Sequence, residues 1–194
     1  MRHKRTIAKF IFISTDFVVD GIKGMYKEED ERSAVNYYGQ TKIAAEDLVM
    51  QNNNEWCIVR TALVYGKPFS GRNNMVTLVK EMLEKGEEYS VFDDQIRTCT
   101  YVEDLANAIV LVIQKNAKGI YHISGNDVLT PYQMAVATAE YLHLDKSLIK
   151  KVTEKDFSQP AKRPAKTGFV ISKAKVDLGF KPISFAEGLK RTLE

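Results

Sequence analysis

Hydrophobic and polar residues follow two kinds of pattern along the chain, namely short apolar runs and longer segments with helical spacing. The apolar runs predict strands, the first two of them buried on both faces of a parallel sheet: KFIFIS (9–14), WCIVRTALVYG (56–66), EYSVF (88–92), RTCTYV (97–102) and GIYHIS (119–124). The helical spacing predicts helices over 36–50, 73–87, 103–117, 132–144 and 184–194. Because strands and helices alternate, the sequence predicts an α/β protein.

Local signals mark the starts of two of these helices. Thr130 followed by Pro131 is typical of an N-cap residue and a proline in the first helical position. Ser184 and Glu187 stand three apart and predict a capping box at the start of the last helix. The Pro-containing and basic segment 158–169 predicts a loop, and the regular spacing weakens from about residue 150 onward.

The composition excludes several classes of protein. A chain of 194 residues with 44% hydrophobic and 27% charged residues is typical of one soluble globular domain. The net charge of +3 is too small to indicate a nucleic-acid or membrane partner. No apolar run approaches the roughly 20 residues of a membrane span, so we expect a cytoplasmic protein. The two cysteines and three histidines are scattered, and their spacing predicts no metal site.

The glycines are arranged in an unexpected way for an α/β protein that binds nucleotides. A doubly wound sheet of that kind has a Gly-rich turn directly after its first strand. None of the 11 glycines here forms a G-x-G-x-x-G pattern, although the first predicted strand has already begun by residue 9. The sequence therefore predicts that a part of the sheet is missing at the front.

Tyr38 and Lys42 are the strongest candidates for chemistry. They stand four residues apart in a predicted helix and therefore lie on the same face, one turn apart. A tyrosine beside an ammonium group is a suitable proton donor, because the cation stabilises the phenolate that remains. The alternative is a half-buried helix tyrosine beside a solvated lysine. Glu46, one turn further, is predicted to pair with Lys42 and to stabilise the helix.

Four stretches together resemble the dTDP-4-dehydrorhamnose reductase family of the extended short-chain dehydrogenase/reductase superfamily. They are FISTDFVVDG, YGQTKIAAED, DDQIRTCTYVEDLANAI and KRPAKTGFVISKAKVDLGFKP, and they occur in the family's order and at its intervals. The Tyr-x-x-x-Lys pair alone would be weak support. The four stretches in order are strong support, and they cover nearly the whole chain.

The resemblance implies a fold. It implies a partial doubly wound, Rossmann-like parallel sheet with a small C-terminal α/β substrate-binding subdomain. Residues 1–66 would be the C-terminal part of the NAD(P)-binding domain, and residues 67–194 would be mainly substrate-binding, with some elements returning to the sheet. The strand that ends in Ser-Thr-Asp would be the fifth of the sheet, so about 90 residues with the Gly-rich turn would come before it.

The resemblance also implies a reaction, the reduction of the 4-keto group of a nucleotide-linked deoxysugar with NADP or NAD as cofactor, as in rhamnose biosynthesis. Tyr38 would donate the proton. Lys42 would assist it and hydrogen-bond the nicotinamide ribose. Thr15 would orient the substrate oxygen, with local hydrogen bonding within the loop as the alternative. Ala62 would also contact the cofactor.

The residues that would contact the nucleotide sugar are Thr15, Asp16, Leu63, Gln95, Arg97 and Arg163. Leu63 stands where the family has a tryptophan near the sugar, so a stacking surface is lost and specificity for rhamnose-type substrates is in doubt. A solvated turn is the alternative for Gln95 and Arg97. Arg163 lies in the segment 157–176, which has no acidic residue before Asp177, and could grip a diphosphate.

Other readings of the sequence remain open. One is an epimerase or dehydratase of the same superfamily acting on a nucleotide sugar. Another is a non-catalytic regulatory protein, because the methionine adenosyltransferase β subunit also resembles this family. A nucleotide sugar is the expected small-molecule partner in the enzyme readings, and a homodimer is compatible with all of them.

Overall fold

The computed structural model describes residues 8–52, 55–69, 71–156 and 161–194. Part of the predicted loop over 158–169, namely 158–160, and the basic start of the chain lie outside the described residues.

Nine strands and five α-helices make up the described structure. The strands are β1 (Phe10–Thr15), β2 (Trp56–Thr61), β3 (Val64–Tyr65), β4 (Tyr89–Phe92), β5 (Arg97–Thr98), β6 (Thr100–Tyr101), β7 (Gly119–Ile123), β8 (Val128–Leu129) and β9 (Ile149–Val152). The helices are α1 (Tyr37–Asn52), α2 (Met75–Glu84), α3 (Val102–Gln114), α4 (Pro131–Leu142) and α5 (Phe185–Leu193). Short 3₁₀ turns lie at Asp16–Val18 and Lys146–Leu148, and a π-helical turn lies at Ala174–Leu178.

The central sheet is parallel and has the strand order β1-β2-β7. Its register places Thr15 beside Thr61 and Thr61 beside Ile123 at the carboxyl ends of the three strands. Within the described ranges no strand pairs with the other edge of β1. The α/β class with a parallel sheet is therefore confirmed.

Smaller strand pairs build the rest of the molecule around the helices. Strands β3 and β6 pair in parallel, as do β4 and β9, whereas β5 and β8 are antiparallel. One apolar core cluster joins the central sheet to α3 and to the π-helical turn. Two others join α2 and α4 to β4, to β9 and to α5. The division at residue 66 stays a prediction.

The structure corrects two predicted strands. The run 56–66 is not one strand, because β2 ends at Thr61 and the backbone turns at Leu63, whose φ is 37°. Residues Val64–Tyr65 then pair with β6 instead of with the central sheet. The run 97–102 is also not one strand, because Cys99 separates β5 from β6. Strand β9 was not predicted, because its short sequence shows no clear alternation.

The two predicted helix starts differ in outcome. At α4 the Thr130 hydroxyl accepts from the backbone N–H of Gln133, whose side chain accepts in return from the N–H of Thr130. At α5 the Ser184 hydroxyl accepts from the N–H of Glu187. The side chain of Glu187, however, binds Arg191 one turn further along the helix, so only half of the predicted capping box forms.

Two further features are absent from the described residues. No helix there has the length and the apolar composition that crossing a membrane requires. No group of three or more His, Cys, Asp or Glu side chains within those ranges is placed to hold a metal ion.

Candidate active site

Thr15 lies at the carboxyl end of β1, which is the end where parallel α/β sheets place their ligands. Its hydroxyl accepts from the backbone N–H of Phe17 at 3.3 Å and donates to Oδ1 of Asp16 at 3.2 Å. These bonds cap the 3₁₀ turn at Asp16–Val18. The predicted alternative of local hydrogen bonding therefore describes what the hydroxyl does in this structure, and it leaves the substrate role a prediction.

Tyr38 and Lys42 lie beside this turn on the first part of α1. The Tyr38 ring meets the Phe17 ring nearly edge-on, with centroids 5.8 Å apart and an interplanar angle of 78°. The Lys42 Nζ lies 6.0 Å from the Tyr38 ring centroid and 5.0 Å from that of Phe12. It also donates to the carbonyl oxygen of Ile13 at 3.2 Å. The pair is thereby anchored to the last residues of β1.

The polar atoms of this pair are available to a ligand. Tyr38 is 50% exposed, and its contacts with described residues are made by its ring and its backbone carbonyl, which leaves its hydroxyl without a protein partner there. The Lys42 ammonium has three N–H donors and uses one of them on Ile13. The predicted alternative of a half-buried tyrosine beside a solvated lysine accounts for the exposure of Tyr38 but not for the attachment of Lys42 to β1.

Close backbone contact explains how α1 reaches this position. A Cβ atom added to Gly39 would lie 2.1 Å from the Phe17 carbonyl oxygen and 2.7 Å from the Ala34 Cβ. Only glycine therefore lets the first turn of α1 approach the 3₁₀ turn so closely. Asn36 fixes the same turn, because its side-chain oxygen accepts from the N–H of Gly39 and its amide donates to the Lys162 carbonyl, both at 2.8 Å.

Asp16 and Arg97 form a buried ion pair close to the Phe17 ring. The Arg97 Nη1 lies 3.2 Å from Oδ2 of Asp16, and Thr167 binds both partners. Burial raises the pKa of the Asp16 carboxyl, and the neighbouring guanidinium opposes that rise. Burial lowers the pKa of the Arg97 guanidinium, and the Asp16 carboxylate opposes that lowering.

The surroundings of Gln95 and Arg97 exclude a solvated turn. Both side chains are buried. The Arg97 Nη2 donates to Oε1 of Gln95 at 2.9 Å and to the Pro164 carbonyl at 3.3 Å. The predicted alternative is therefore wrong for both residues, and the internal bonds of Arg97 hold its guanidinium in one orientation.

A cleft of about 270 Å³ brings together four of the residues predicted to bind substrate, namely Leu63, Gln95, Arg97 and Arg163. The Arg97 guanidinium lies 5.4 Å from the Phe17 ring centroid, and the Tyr38 ring meets Phe17 from another direction. Phe17 thus connects the cleft to the Tyr38–Lys42 pair. A second cleft of about 570 Å³ shares Leu63 and is walled in part by Lys67 and Arg72.

Ala62 and Glu46 have surroundings that their sequence contexts did not indicate. Ala62 is buried in the core beside the sheet, and its carbonyl accepts from the Thr100 hydroxyl at 2.8 Å. Its predicted contact with the cofactor stays a prediction. The pairing predicted for Glu46 with Lys42 is wrong, because the Glu46 carboxylate binds Arg60 of β2.

Phe17, Gly39 and Thr167 shape the site but were not predicted to belong to it. All three lie within the stretches that carry the family resemblance, so the motifs contained a signal for them. Thr167 lies 151 residues from Asp16 along the chain, inside a predicted loop. No local pattern could have predicted its contact with Asp16.

Comparison with known proteins shows the family of this chain. A family model described as the RmlD substrate binding domain matches residues 2–194. The spore coat polysaccharide biosynthesis protein SpsK of Bacillus subtilis (strain 168) is 32% identical over 190 residues, which are 96% of this chain and 64% of SpsK. The methionine adenosyltransferase 2 subunit beta of Mus musculus is 32% identical over 193 residues, which are 96% of this chain and 57% of the subunit.

A solved structure agrees with the fold over nearly the whole chain. The dTDP-4-dehydrorhamnose reductase of Bacillus anthracis str. Ames, crystallised with NADP, superposes with a TM-score of 0.88 at 32% sequence identity. The match covers 96% of this chain and 65% of the reductase. The chain thus spans less than two thirds of the length of each of these three relatives.

Proposed function

Since the chain belongs to the RmlD substrate-binding-domain family, we propose that it supplies the catalytic and substrate-binding part of an NAD(P)-dependent reductase. The substrate we propose is a nucleotide-linked deoxysugar with a keto group at C4. The observation that carries the proposal is that Tyr38 and Lys42 contact Phe17 and Ile13, the residues two positions on either side of Thr15. The Arg97 guanidinium, which lines the cleft together with Arg163, contacts the same Phe17 ring.

The free polar atoms of the Tyr38–Lys42 pair fit a nicotinamide dinucleotide and a ketone. Among the described residues Lys42 uses one of its three donors, so the other two suit ribose hydroxyls, and the Tyr38 hydroxyl suits a carbonyl oxygen. When bound, a reduced nicotinamide dinucleotide supplies the hydride, and this fits the reductase crystallised with NADP among the relatives.

Tyr38 acts in this proposal as the general acid. As the ketone carbon becomes tetrahedral, negative charge develops on its oxygen, and a positioned proton donor stabilises that charge. The Lys42 ammonium, held near the Tyr38 ring, favours the phenolate that remains after the proton has been transferred.

Thr15 orients the substrate oxygen. Its hydroxyl accepts from the Phe17 N–H and directs its own proton toward Asp16. Rotation about the C–O bond turns that proton toward a substrate oxygen without loss of the bond from Phe17. The sugar nucleotide lies in the cleft, where Arg163 meets the diphosphate and Gln95 and Arg97 contact the sugar.

The test is a steady-state assay of an N-terminally extended version that carries a Gly-rich dinucleotide-binding segment. NADPH consumption is followed with a dTDP-linked 4-keto-6-deoxyhexose as substrate. Removal of the phenolic proton in Tyr38→Phe should lower kcat by about 100-fold or more, because general acid catalysis contributes that much. The Michaelis constant for the sugar nucleotide should change little, since the ring remains.

Tyr37 offers a matched control, because it is the neighbouring tyrosine and its side chain is 80% exposed. Tyr37→Phe should keep the parent kcat. An extended protein that binds NADPH but turns over no sugar nucleotide would contradict the reductase proposal. That result would favour a regulatory role, which the similarity to a methionine adenosyltransferase beta subunit supports.

A further inference from the structure

Glu46 and Arg60 form a second buried ion pair, which lies between α1 and the central sheet. The Arg60 Nε donates to Oε1 of Glu46 at 2.9 Å, and its Nη2 donates to Oε2 at 2.7 Å. Both residues are essentially inaccessible, at 0% exposure for Glu46 and 1% for Arg60. The two parallel bonds make this a bidentate contact, which fixes direction as well as distance.

Two neighbours complete the surroundings of this ion pair. Arg32, from the loop before α1, donates to Oε2 of Glu46 at 3.3 Å and to Asp47 at 2.7 Å. On the sheet side the Arg60 Nη1 lies 3.5 Å from Nε2 of His122 in the adjacent strand β7. The pair is therefore attached to the loop, the helix and two strands.

The position of Glu46 links the ion pair to the Tyr38–Lys42 pair. Glu46 follows Lys42 by four residues, one helical turn further along α1. Arg60 lies in register beside Ser14, the residue before Thr15 in β1. One bidentate contact thus joins α1, which carries the proposed acid, to β2, the strand that pairs with β1 and its Thr15.

The geometry of this contact restricts how α1 can move over the sheet. An axial shift by one residue would move the Glu46 carboxylate by about 1.5 Å and break both parallel bonds. A buried ion pair contributes little net stability compared with well-packed apolar residues of similar volume. Directional control of α1 is therefore a better account of this pair than a gain in folding free energy.

We infer that Glu46 and Arg60 are positioning residues, which set the place of Tyr38 and Lys42 relative to Thr15. The catalytic consequence of this inference rests on the proposed reductase function. The structural consequence, the edge contact between the Phe17 and Tyr38 rings, can be measured without any activity.

The test uses the double variant Glu46→Leu/Arg60→Met. It removes the directional contact and leaves neither partner as an unpaired buried charge, so the protein should stay folded. In the 194-residue chain the nuclear Overhauser effect between the Phe17 and Tyr38 rings should weaken markedly. The ring signals of Tyr38 are assigned by comparison with the spectrum of Tyr38→Phe. In the N-terminally extended version kcat should fall by about 100-fold, as displacement of a catalytic group by about 1 Å produces. The Michaelis constant for the sugar nucleotide should stay within about twofold of the parent value.

Two further variants keep the test decisive. Arg60→Lys retains the charge but lacks the planar fork, so it should show the same loss of kcat. It replaces the double variant in the test if the double variant does not fold. Val79→Ala is the control for a general loss of stability. Val79 lies on α2 in the core cluster that also contains residues of α4, away from α1, so the cavity left by this variant should lower stability without a change in kcat.

The outcomes separate the inference from the proposed function. A folded double variant that keeps both the ring contact and the parent kcat would overturn the positioning role. The positioning role would also be overturned if kcat of the double variant falls no further than kcat of Val79→Ala when the two variants have equal free energies of unfolding. If no version reduces the ketone while the ring contact is still lost in the double variant, positioning stands and the reductase proposal fails.

Discussion

His122 is a histidine that the fold keeps neutral. It is fully buried in β7, where its ring stacks on Phe169 with centroids 3.9 Å apart. Burial lowers its pKa to about 3, and the nearby Arg60 charge adds to that effect. Its Nδ1 lies 3.1 Å from the Tyr26 carbonyl oxygen, which can only accept, so the neutral ring carries its proton on Nδ1. The other nitrogen then faces the guanidinium as an acceptor.

The depressed pKa of His122 predicts a pH dependence of folding stability. Its usual pKa is 6.5, and in the folded protein it is about 3, so between these values the unfolded chain binds a proton that the folded chain does not. This contribution to stability is complete above pH 6.5 and is lost as pH falls toward 3. At pH 5 the free energy of unfolding should be lower by about 2 kcal/mol than at pH 7.5. Urea unfolding at both pH values measures it.

The control for this prediction is the exposed histidine at the end of α4, His143. His122→Gln should remove most of the difference between pH 7.5 and pH 5, whatever its own effect on stability. His143→Gln should leave the difference in place. An undiminished difference in His122→Gln would assign the pH dependence to other groups.

The sequence pointed to the residues of the site but not to their partners. The family resemblance named Asp16, Gln95 and Arg97 as substrate contacts, which stay a prediction, and it did not indicate that Arg97 binds the other two. Likewise Glu46 was expected to pair within its helix and instead binds Arg60, 14 residues away in β2. Residue types are visible in a sequence, but a partner on another element is set by the fold.

At the scale of elements, the site depends on the close approach of α1 to the 3₁₀ turn after β1. Gly39 permits that approach, because any Cβ there would meet the Phe17 backbone carbonyl. A backbone atom cannot move aside as a flexible side chain can. Helix and turn must therefore separate if a larger residue takes this position.

Gly39→Ala should consequently destabilise the protein by about 2 kcal/mol or more, although alanine normally favours a helix. Chemical denaturation of the 194-residue chain measures the change. Gln40→Ala is the matched control in the same turn of α1, where the side chain is exposed, and should lie within about 0.5 kcal/mol of the parent. Equal stability of the two variants would show that α1 and the turn can adjust without cost.

Helices were easier to predict than strand pairings, for a physical reason. The predicted helix over 36–50 is α1, and the predicted helix over 132–144 is α4, with bounds shifted by one or two residues. Helical spacing and caps act within a few residues and are visible locally. Strand β9 pairs with β4, about 60 residues earlier, and the turn at Leu63 depends on a backbone angle that no hydrophobic pattern encodes.

At the scale of the whole molecule, the central sheet has an open side. The class of fold and the parallel sheet were predicted from the alternation of strands and helices. The resemblance also implied that β1 is the fifth strand of a larger sheet, and within the described residues its outer edge has no strand partner. Phe10 at its start is 47% exposed, so this strand also presents apolar surface.

An open edge of this kind promotes strand pairing between molecules. The 194-residue chain should therefore associate with increasing concentration in sedimentation velocity, through β1. Phe10→Lys should shift the distribution toward monomer, because a lysine on an edge strand opposes pairing. Ile22→Lys is the control, since Ile22 is 75% exposed but lies in the loop between β1 and α1 and not on a strand. If both variants suppress association equally, general charge repulsion explains the effect. If only Phe10→Lys does, the free edge of β1 is the surface that another strand must cover.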